Sequence, residues 1–469
     1  MAGGLMQLVA YGAQDVYLTG QPKVTFFQAV YKRHTNFAME NIQQTVNGTP
    51  TNGGRVSVTI ARNGDLVGDM YIRLQPTQTA TANLTSTNAN FDTCWVAERA
   101  IADIELTIGG QRIDKHYQTW WRLYAELFLS ESEKINYGKM TSSPVVYPDS
   151  TNTNSVYLPL LFFFNRNPGL YLPLIALQYH EVRLDFDLTS YFSSYFGTSG
   201  QVFEVWANYV YLDTEERRRF AQKGHEYLIE QVQHTGGDAI TLASAPTSNG
   251  SPTAQTIRLS FNHPVKELVW CYTNTSATAY NSMWNFSTSA SNVNVTCAPL
   301  VGQAAFSLPH TIGAPRVFAN VVASNTFSGS LLSNTYGLTS NTASGVFWIE
   351  EGSSNVIAGS QVEVGPLYNF KLVLNGQDRF KEQQGKYFNQ YQPYVYHSGV
   401  PYPGVYCYSF ALQPEEHQPT GTCNFSRIDN AQVAINIKGA ATTPLQKMFA
   451  VNYNILRIQS GMGGLAFSN

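Results

Sequence analysis

The sequence predicts an all-β protein built as two tandem sandwiches. Three observations carry that prediction: an internal duplication, period-two alternation of apolar residues, and turn residues between the alternating runs. Phe37–Thr45 reads FAMENIQQT and Tyr227–Thr235 reads YLIEQVQHT. Leu106–Gln111 (LTIGGQ) is matched by Leu372–Gln377 (LVLNGQ). The aromatic run Leu160–Asn165, followed by Pro168-Gly169, pairs with Val405–Leu412, followed by Pro419-Thr420-Gly421. Each leads into an alternating run, Val182–Leu188 and Val433–Lys438. Four pairs in one order argue for two copies of one β-domain, and a repeated building unit points to geometry rather than catalysis.

Alternation identifies the strands. Val56, Val58 and Ile60 alternate with polar neighbours, as do Ile104, Leu106 and Ile108, and Ile257, Leu259 and Phe261. Such runs have one buried and one polar face. Asn63-Gly64-Asp65, Gly109-Gly110, Asn167-Pro168-Gly169 and Asn375-Gly376 supply the reversals between them. Helix is sparse. Trp120, Trp121, Tyr124, Leu127 and Phe128 fall on one helical face within Trp120–Leu129. Asp213, with Glu216 three residues on, predicts a second helix that Gly224 ends, and the junction of the copies is placed there. The copies differ mainly by a large insertion within the Ser/Thr/Asn-rich stretch Tyr272–Gly365, whose counterpart is Pro76–Phe91. Loops of that length are usually functional. Val346–Ile349 suggests that the long one has strand structure of its own.

Composition narrows the function. The chain has 469 residues, enough for two or three domains. Charged residues are only 13%, against an ordinary quarter, so the surface favours close, uncharged contacts. A net charge of −3 gives no reason to expect nucleic acid as the main partner. Cys94, Cys271, Cys297, Cys407 and Cys423 are widely spaced without a C-x-x-C, which argues against a disulfide framework or zinc site and for a reducing compartment. Met1–Tyr11 lacks the form of a secretory signal, and Val156–Leu177 is too interrupted by proline and polar residues for a membrane helix. A soluble protein is expected.

No G-x-x-x-x-G-K-[ST], G-x-G-x-x-G or H-E-x-x-H occurs. Gly461-Met462-Gly463-Gly464 has no room for a following helix and reads as a flexible tail. Asp185 and Asp187 share a strand face and could offer carboxylates to a cation, although a solvated pair is the plainer reading. Glu215-Glu216, Glu350-Glu351 and Glu415-Glu416 are adjacent, whereas a glycosidase needs carboxyls roughly 5–10 Å apart across a cleft. His180-Glu181 reads as a hydrogen-bonded structural pair, and Arg217-Arg218-Arg219 as a helix face paired to Glu215. No catalytic, cofactor-binding or metal residue is nominated. Sequons at Asn47, Asn83, Asn249, Asn274, Asn285, Asn294 and Asn424 follow from composition alone. Leu5, Leu8, Val9, Tyr11, Val16, Tyr17 and Leu18 make the N-terminal arm apolar, which points to a docked arm, favoured here as a contact between subunits.

Longer segments carry a resemblance. They include GGLMQLVAYGAQDVYLTG (Gly3–Gly20), TFFQAVYKRHTNFAMENIQQT (Thr25–Thr45), NPGLYLPLIALQYHEV (Asn167–Val182), FAQKGHEYLIEQ (Phe220–Gln231), GTCNFSRIDNA (Gly421–Ala431) and LRIQSGMGGLA (Leu456–Ala466). Here the chain resembles the major capsid proteins of nucleocytoplasmic large DNA viruses, particularly those of algae. The resemblance implies a double jelly roll: an arm (1–24), a first eight-stranded jelly roll (25–212), a linker helix (213–224), a second roll (225–458) with an outer loop (273–364), and a tail (459–469). It further implies a homotrimer forming pseudo-hexagonal capsomers that tile an icosahedral virion shell. Capsomer contacts, minor capsid proteins on the inner face, surface glycans and assembly in the host cytoplasm are implied with it; direct genome binding, a transmembrane segment and enzymatic activity are not. Thr77–Phe91 and Thr273–Val364 would face outward and Gly3–Leu18 inward. An alternative from another class is a carbohydrate- or receptor-binding jelly roll, with Tyr272, Tyr280 and Trp284 as stacking platforms. A hydrolase using Asp185 or Asp187 is a third.

Overall fold

The computed structural model describes residues 3–10, 12–75, 95–141, 155–198, 200–240, 255–274, 286, 293–295, 317–320, 346–348, 365–401, 404–437 and 444–467. The chain divides into two units, Met1–Phe37 and Ala38–Asn469. In the first, Gly3–Val9 and Asp15–Thr19 are short helices, and the Gly12 N–H donates to Asp15 Oδ2 at 2.7 Å. Its apolar side chains, among them Leu8, Leu18, Phe26, Phe27 and Tyr31, are exposed.

The second unit begins within the strand Phe37–Gln44 and contains two sets of eight principal strands. The first set is β1 (Phe37–Gln44), β2 (Arg55–Thr59), β3 (Leu66–Gln75), β4 (Ile101–Ile108), β5 (Gln111–Tyr117), β6 (Val156–Pro159), β7 (Val182–Leu188) and β8 (Val202–Leu212). The second is β9 (His225–Ala239), β10 (Gln255–Leu259), β11 (Pro264–Asn274), β12 (Leu367–Leu374), β13 (Gln377–Asp378), β14 (Val405–Ser409), β15 (Ala431–Ile437) and β16 (Pro444–Gln459). The first set pairs in the orders β1-β8-β3-β6 and β2-β7-β4-β5, and the second in the orders β9-β16-β11-β14 and β10-β15-β12-β13. The two orders are the same, eight positions on. Two facing four-stranded antiparallel sheets with this order are a jelly roll, so the fold is a double jelly roll.

Alternation drives the burial as expected. On β2 the side chains of Val56 and Val58 are fully buried between less buried neighbours, and β4 buries Ile104, Leu106 and Ile108. These pack with Ile72, Leu184, Phe186 and Val205 in the first core. The second core gathers Trp270, Phe370, Phe388, Tyr406 and Val433, with the Trp270 ring stacked on Phe370 at 4.5 Å. The hairpins β4–β5 and β12–β13 turn on Gly109-Gly110 and Asn375-Gly376. Both central residues of each have positive φ (56° and 81°; 49° and 79°), which is why Gly and Asn stand there.

Register corrects two of the matched pairs. Leu106 lies opposite Leu184, and its equivalent Leu372 lies opposite Val433. Val182 therefore corresponds to Ala431, two residues before the Val433 that sequence similarity suggests. The aromatic run Leu160–Asn165 is not a strand: Phe163–Arg166 is a helical turn, and the counterpart of β14 is β6, just before it. Phe162, Phe163 and Phe164 are buried all the same, so composition matched where position did not.

Three helices bear on how the two sets of strands are joined. α1 (Gln118–Leu127) follows β5 and buries Trp120, Trp121 and Leu127, the face expected from sequence. α2 (Glu131–Thr141) carries no periodic signal, because the positions it buries include Lys134 and Thr141. α3 (Thr214–Gln222) lies between β8 and β9 with Asp213 at its N-cap position; the Asp213 carbonyl accepts from Arg217 N at 2.8 Å, and its side chain makes no capping bond. No described helix is long and apolar enough to cross a membrane. Within the long loop, Val293–Val295, Val317–Asn320 and Val346–Trp348 form a small antiparallel sheet. Thr77–Phe91 and the remainder of 275–364 apart from Phe286 lie outside the described residues.

Candidate functional site: the junction of the two sandwiches

Two similar domains hold one relative position only if the contact between them is extensive. Its origin is visible in β11. Leu268, Trp270 and Tyr272 point into the second core, while Val269 and Cys271 on the opposite face are equally buried. A strand apolar on both faces is covered on both. The cover comes from the first sandwich: Trp95, Trp120, Leu123 and Leu127 pack on Val269, Cys271, Val405, Cys407, Phe449 and Val451.

Polar struts flank that apolar layer. Gln231 Nε2 donates to the Ile113 carbonyl, Val232 N to Asp114 Oδ1 at 3.1 Å, and Lys447 Nζ to Thr119 Oγ1 at 3.3 Å. Behind α1, Arg122 pairs with Glu98 at 3.4 Å and Glu126 at 3.0 Å and lies 3.8 Å over the Trp95 ring. Tyr137 donates to Glu98 at 2.6 Å. Burial raises the Glu98 pKa, and Arg122 opposes that rise. A second ionic knot joins the sandwiches directly: Glu230 of β9 meets Arg166 at 2.9 Å and Lys266 at 2.5 Å, with His417 Nδ1 at 3.5 Å. Burial alone would raise the Glu230 pKa; His417, Arg166 and Lys266 outweigh it and hold the carboxyl well below its usual range.

Close backbone approach completes the junction. Gly399 N donates to the Leu127 carbonyl at 3.0 Å, Ser398 Oγ to that of Phe128 at 3.3 Å, and Lys134 Nζ to that of Val400 at 2.8 Å. A Cβ on Gly399 would lie 2.4 Å from the Glu126 carbonyl oxygen.

The residues singled out from sequence are scattered and committed to structure. Asp185 is buried rather than solvated: it accepts from Ser57 at 2.5 Å and pairs with Arg183 at 2.7 Å. Asp187 meets Arg55 at 3.6 Å. His180 Nδ1 contacts the Gly463 backbone at 2.9 Å. Arg218 pairs with Glu215 at 3.8 Å as expected, whereas Arg217 reaches Asp65 at 3.0 Å. Tyr272 is fully buried, so it offers no sugar platform; Tyr280 and Trp284 lie outside the described residues. The tail corrects another expectation, because Met462–Leu465 is a strand on β16 and Leu465 N donates to Gln111 at 3.1 Å. Asn47 is exposed, and the Asn424 side chain accepts from Ser426 N. Glu350-Glu351, Cys94, Cys297, Asn83, Asn249 and Asn285, and the side chains of Asn274 and Asn294, lie outside the described residues.

The family model for the large eukaryotic DNA virus major capsid protein matches residues 216–464, and that for the major capsid protein N-terminus matches 25–213. The chain belongs to this capsid protein family. It is 42% identical to the major capsid protein of Paramecium bursaria Chlorella virus 1 and 40% to that of Phaeocystis pouchetii virus, in each case over 100% of both chains. A chain of the PBCV-1 virus capsid, solved as a quasi-atomic model, is similar with a TM-score of 0.70 at 39% identity, over 95% of this chain and 100% of that one. The Faustovirus major capsid protein has the same fold at 13% identity, with a TM-score of 0.63 over 97% of this chain and 96% of that one. The capsid protein is thus a structural component of the virion shell, and it self-associates there. Sequence reasoning reached the duplication and the linker helix between the copies, but not the packed contact between the sandwiches, whose partners lie far apart in the chain.

Proposed function

We propose that this capsid protein forms a homotrimer in which residues 25–212 and 225–458 of each chain serve as two wedges of a near-hexagonal capsomer. Three chains with two wedges each present six similar sides around a threefold axis, and blocks of that outline tile a shell with few gaps. The observation that carries the reading is the junction: identical strand orders supply two similar wedges, and the buried contacts between them hold the wedges at one angle. Charge is sparse, which suits broad shape-matched sides between capsomers. In this arrangement the loops Thr77–Phe91 and Thr273–Val364 face outward and can carry glycans, while Gly3–Leu18 lies inside against minor capsid proteins. Assembly takes place in the host cytoplasm. The role requires no catalytic residue and no cofactor.

Sedimentation velocity on the purified chain at micromolar concentration tests this, with electron microscopy of the same sample. The expected result is a compact trimer with a six-lobed outline. A monomer at all concentrations, or a dimer, overturns the reading.

A further inference from the structure

Beneath the segment that clasps α1 lies a cluster that the shell-building role leaves unused. Glu267 of β11, Cys407 of β14 and His397, just after the helix Gln392–Tyr396, bring one carboxylate oxygen, one thiol sulfur and one imidazole nitrogen within 4.8 Å of one another. The side chains of His397 and Glu267 are fully buried, and so is Cys407. His397 Nε2 faces Glu267 Oε1. We propose that Glu267, His397 and Cys407 form a structural site for a zinc-like divalent cation, which fastens the Ser398–Val400 clasp to the sheet of the second sandwich.

The donor set is one that zinc takes: thiolate, imidazole and carboxylate, a mixture that magnesium and calcium do not select. Zinc bonds of about 2.0–2.3 Å set their donors roughly 3.3–3.8 Å apart, so His397 Nε2 and Glu267 Oε1, now in direct contact, part to admit the ion while Cys407 Sγ, within the 4.8 Å span, closes on it. Two further features fit ligation better than a plain buried ion pair. The other imidazole nitrogen, Nδ1, lies 3.3 Å from Glu415, which accepts from Ser398 N at 2.8 Å and Ser398 Oγ at 3.0 Å. A carboxylate fixed behind a histidine is the usual orienting group for a metal-ligating imidazole. In addition, Glu267 Oε2 is buried with no hydrogen-bond partner among the described residues. Such an atom calls for an explanation, and bidentate coordination by Glu267 supplies the fourth ligand position.

Charge and protons balance. Without a cation, burial disfavours charge on His397 but the Glu267 carboxylate outweighs it, and burial pushes the Cys407 thiol up to about 11. One imidazolium proton and one thiol proton then leave for solvent as the cation arrives. Thiolate and the Glu267 carboxylate together offset its two positive charges, and the remaining negative charge on Glu415, behind His397, is held by the Ser398 hydrogen bonds and partial exposure to solvent. No oxidant or reductant is involved. Spacing hid the site: Glu267 lies far along the chain from His397 and Cys407, with no C-x-x-C or H-x-x-H to announce it.

The test uses the full-length protein made in zinc-supplemented medium and desalted. Elemental analysis by mass spectrometry should find close to one zinc per chain. After chelator treatment, cobalt(II) alone should restore a thiolate-to-cobalt charge-transfer absorption. Cys407→Ser and His397→Gln should reduce that absorption at least tenfold, and Cys423→Ser should retain it. Chelation should also lower the melting temperature of the wild type. Zinc below a tenth of an equivalent with no cobalt absorption in the wild type overturns the proposal, as does undiminished absorption in Cys407→Ser. Should the ligand variants fail to fold, the wild-type zinc content and cobalt spectrum decide it by themselves. Neither readout depends on the oligomeric state, so failure here is separate from failure of the trimer.

Discussion

The amide of Gly399 donates to the carbonyl of Leu127 at 3.0 Å, so the backbone of the second sandwich closes directly on the helix of the first. A Cβ at this position would meet the carbonyl oxygens of Glu126, Leu127 and Leu129 at 2.4, 2.6 and 2.8 Å. Backbone oxygens cannot rotate away as a side chain would. Gly399→Ala is therefore expected to destabilise the folded chain by about 1–3 kcal/mol, the range for forced overpacking. The check is a lower urea midpoint; a midpoint equal to wild type would mean that the clasp is loose.

Glu230 should make the junction acid-labile in a defined window. Its folded-state pKa lies below the ordinary 4.5. A depressed carboxylate contributes stability that is fully present above the unfolded value and is lost as pH falls through the folded one. From this group, stability should be flat between pH 8 and 5 and fall only below about 4.5. Glu230→Gln should lose about 3–5 kcal/mol at neutral pH, because Lys266 and Arg166 are left without their anion. Denaturant titrations across pH for both proteins decide it; a Gln variant as stable as wild type at neutral pH rules it out.

Much of the fold was legible because the physics that sets it is local. Period-two burial on β2 and β4, the two-residue turns at Gly109-Gly110 and Asn375-Gly376, and the apolar face of α1 are all written in neighbouring residues. The features that escape such a reading depend on distant partners. α2 buries Lys134, whose charge is met by Glu126 and the Val400 carbonyl, so its buried side has no apolar stripe. Asp185 looks solvated in a strand pattern until Arg183 and Ser57 are seen beside it. Tyr272 resembles a loop aromatic because β11 runs on to Asn274, deeper into the apparent loop than its polar residues suggest. The junction itself was signalled only by the disappearance of alternation in β11 and in Val405–Ser409, where all five residues are buried.

The tail supplies a prediction in which structure and sequence disagree outright. Met462–Leu465 pairs with β16, and its Gly463 and Leu465 amides reach His180 and Gln111 of the first sandwich at 3.1 Å each. Removing residues 461–469 forfeits those bonds at about 0.5–1.5 kcal/mol apiece. A loss of a few kcal/mol in total is expected by thermal or chemical denaturation. A flexible tail would give no change.

Truncation at the other end should behave in the opposite way. Phe27 is 99% exposed, Phe26 and Tyr31 each 90%, and Leu18 86%. Side chains in that state contribute almost nothing to the folding of their own chain, so deleting residues 1–34 should shift unfolding free energy by no more than about 0.5 kcal/mol. The same exposure makes the arm costly to leave in water, and contiguous exposed apolar surface ordinarily marks a contact. The truncated chain should therefore be more soluble and should still sediment as the wild type does at the capsomer level, while failing to join larger assemblies. Parallel melts and sedimentation profiles of the two proteins distinguish the cases. A several-degree drop in melting temperature would place the arm within the folding unit, whereas unchanged growth of large assemblies would remove it from the shell contacts.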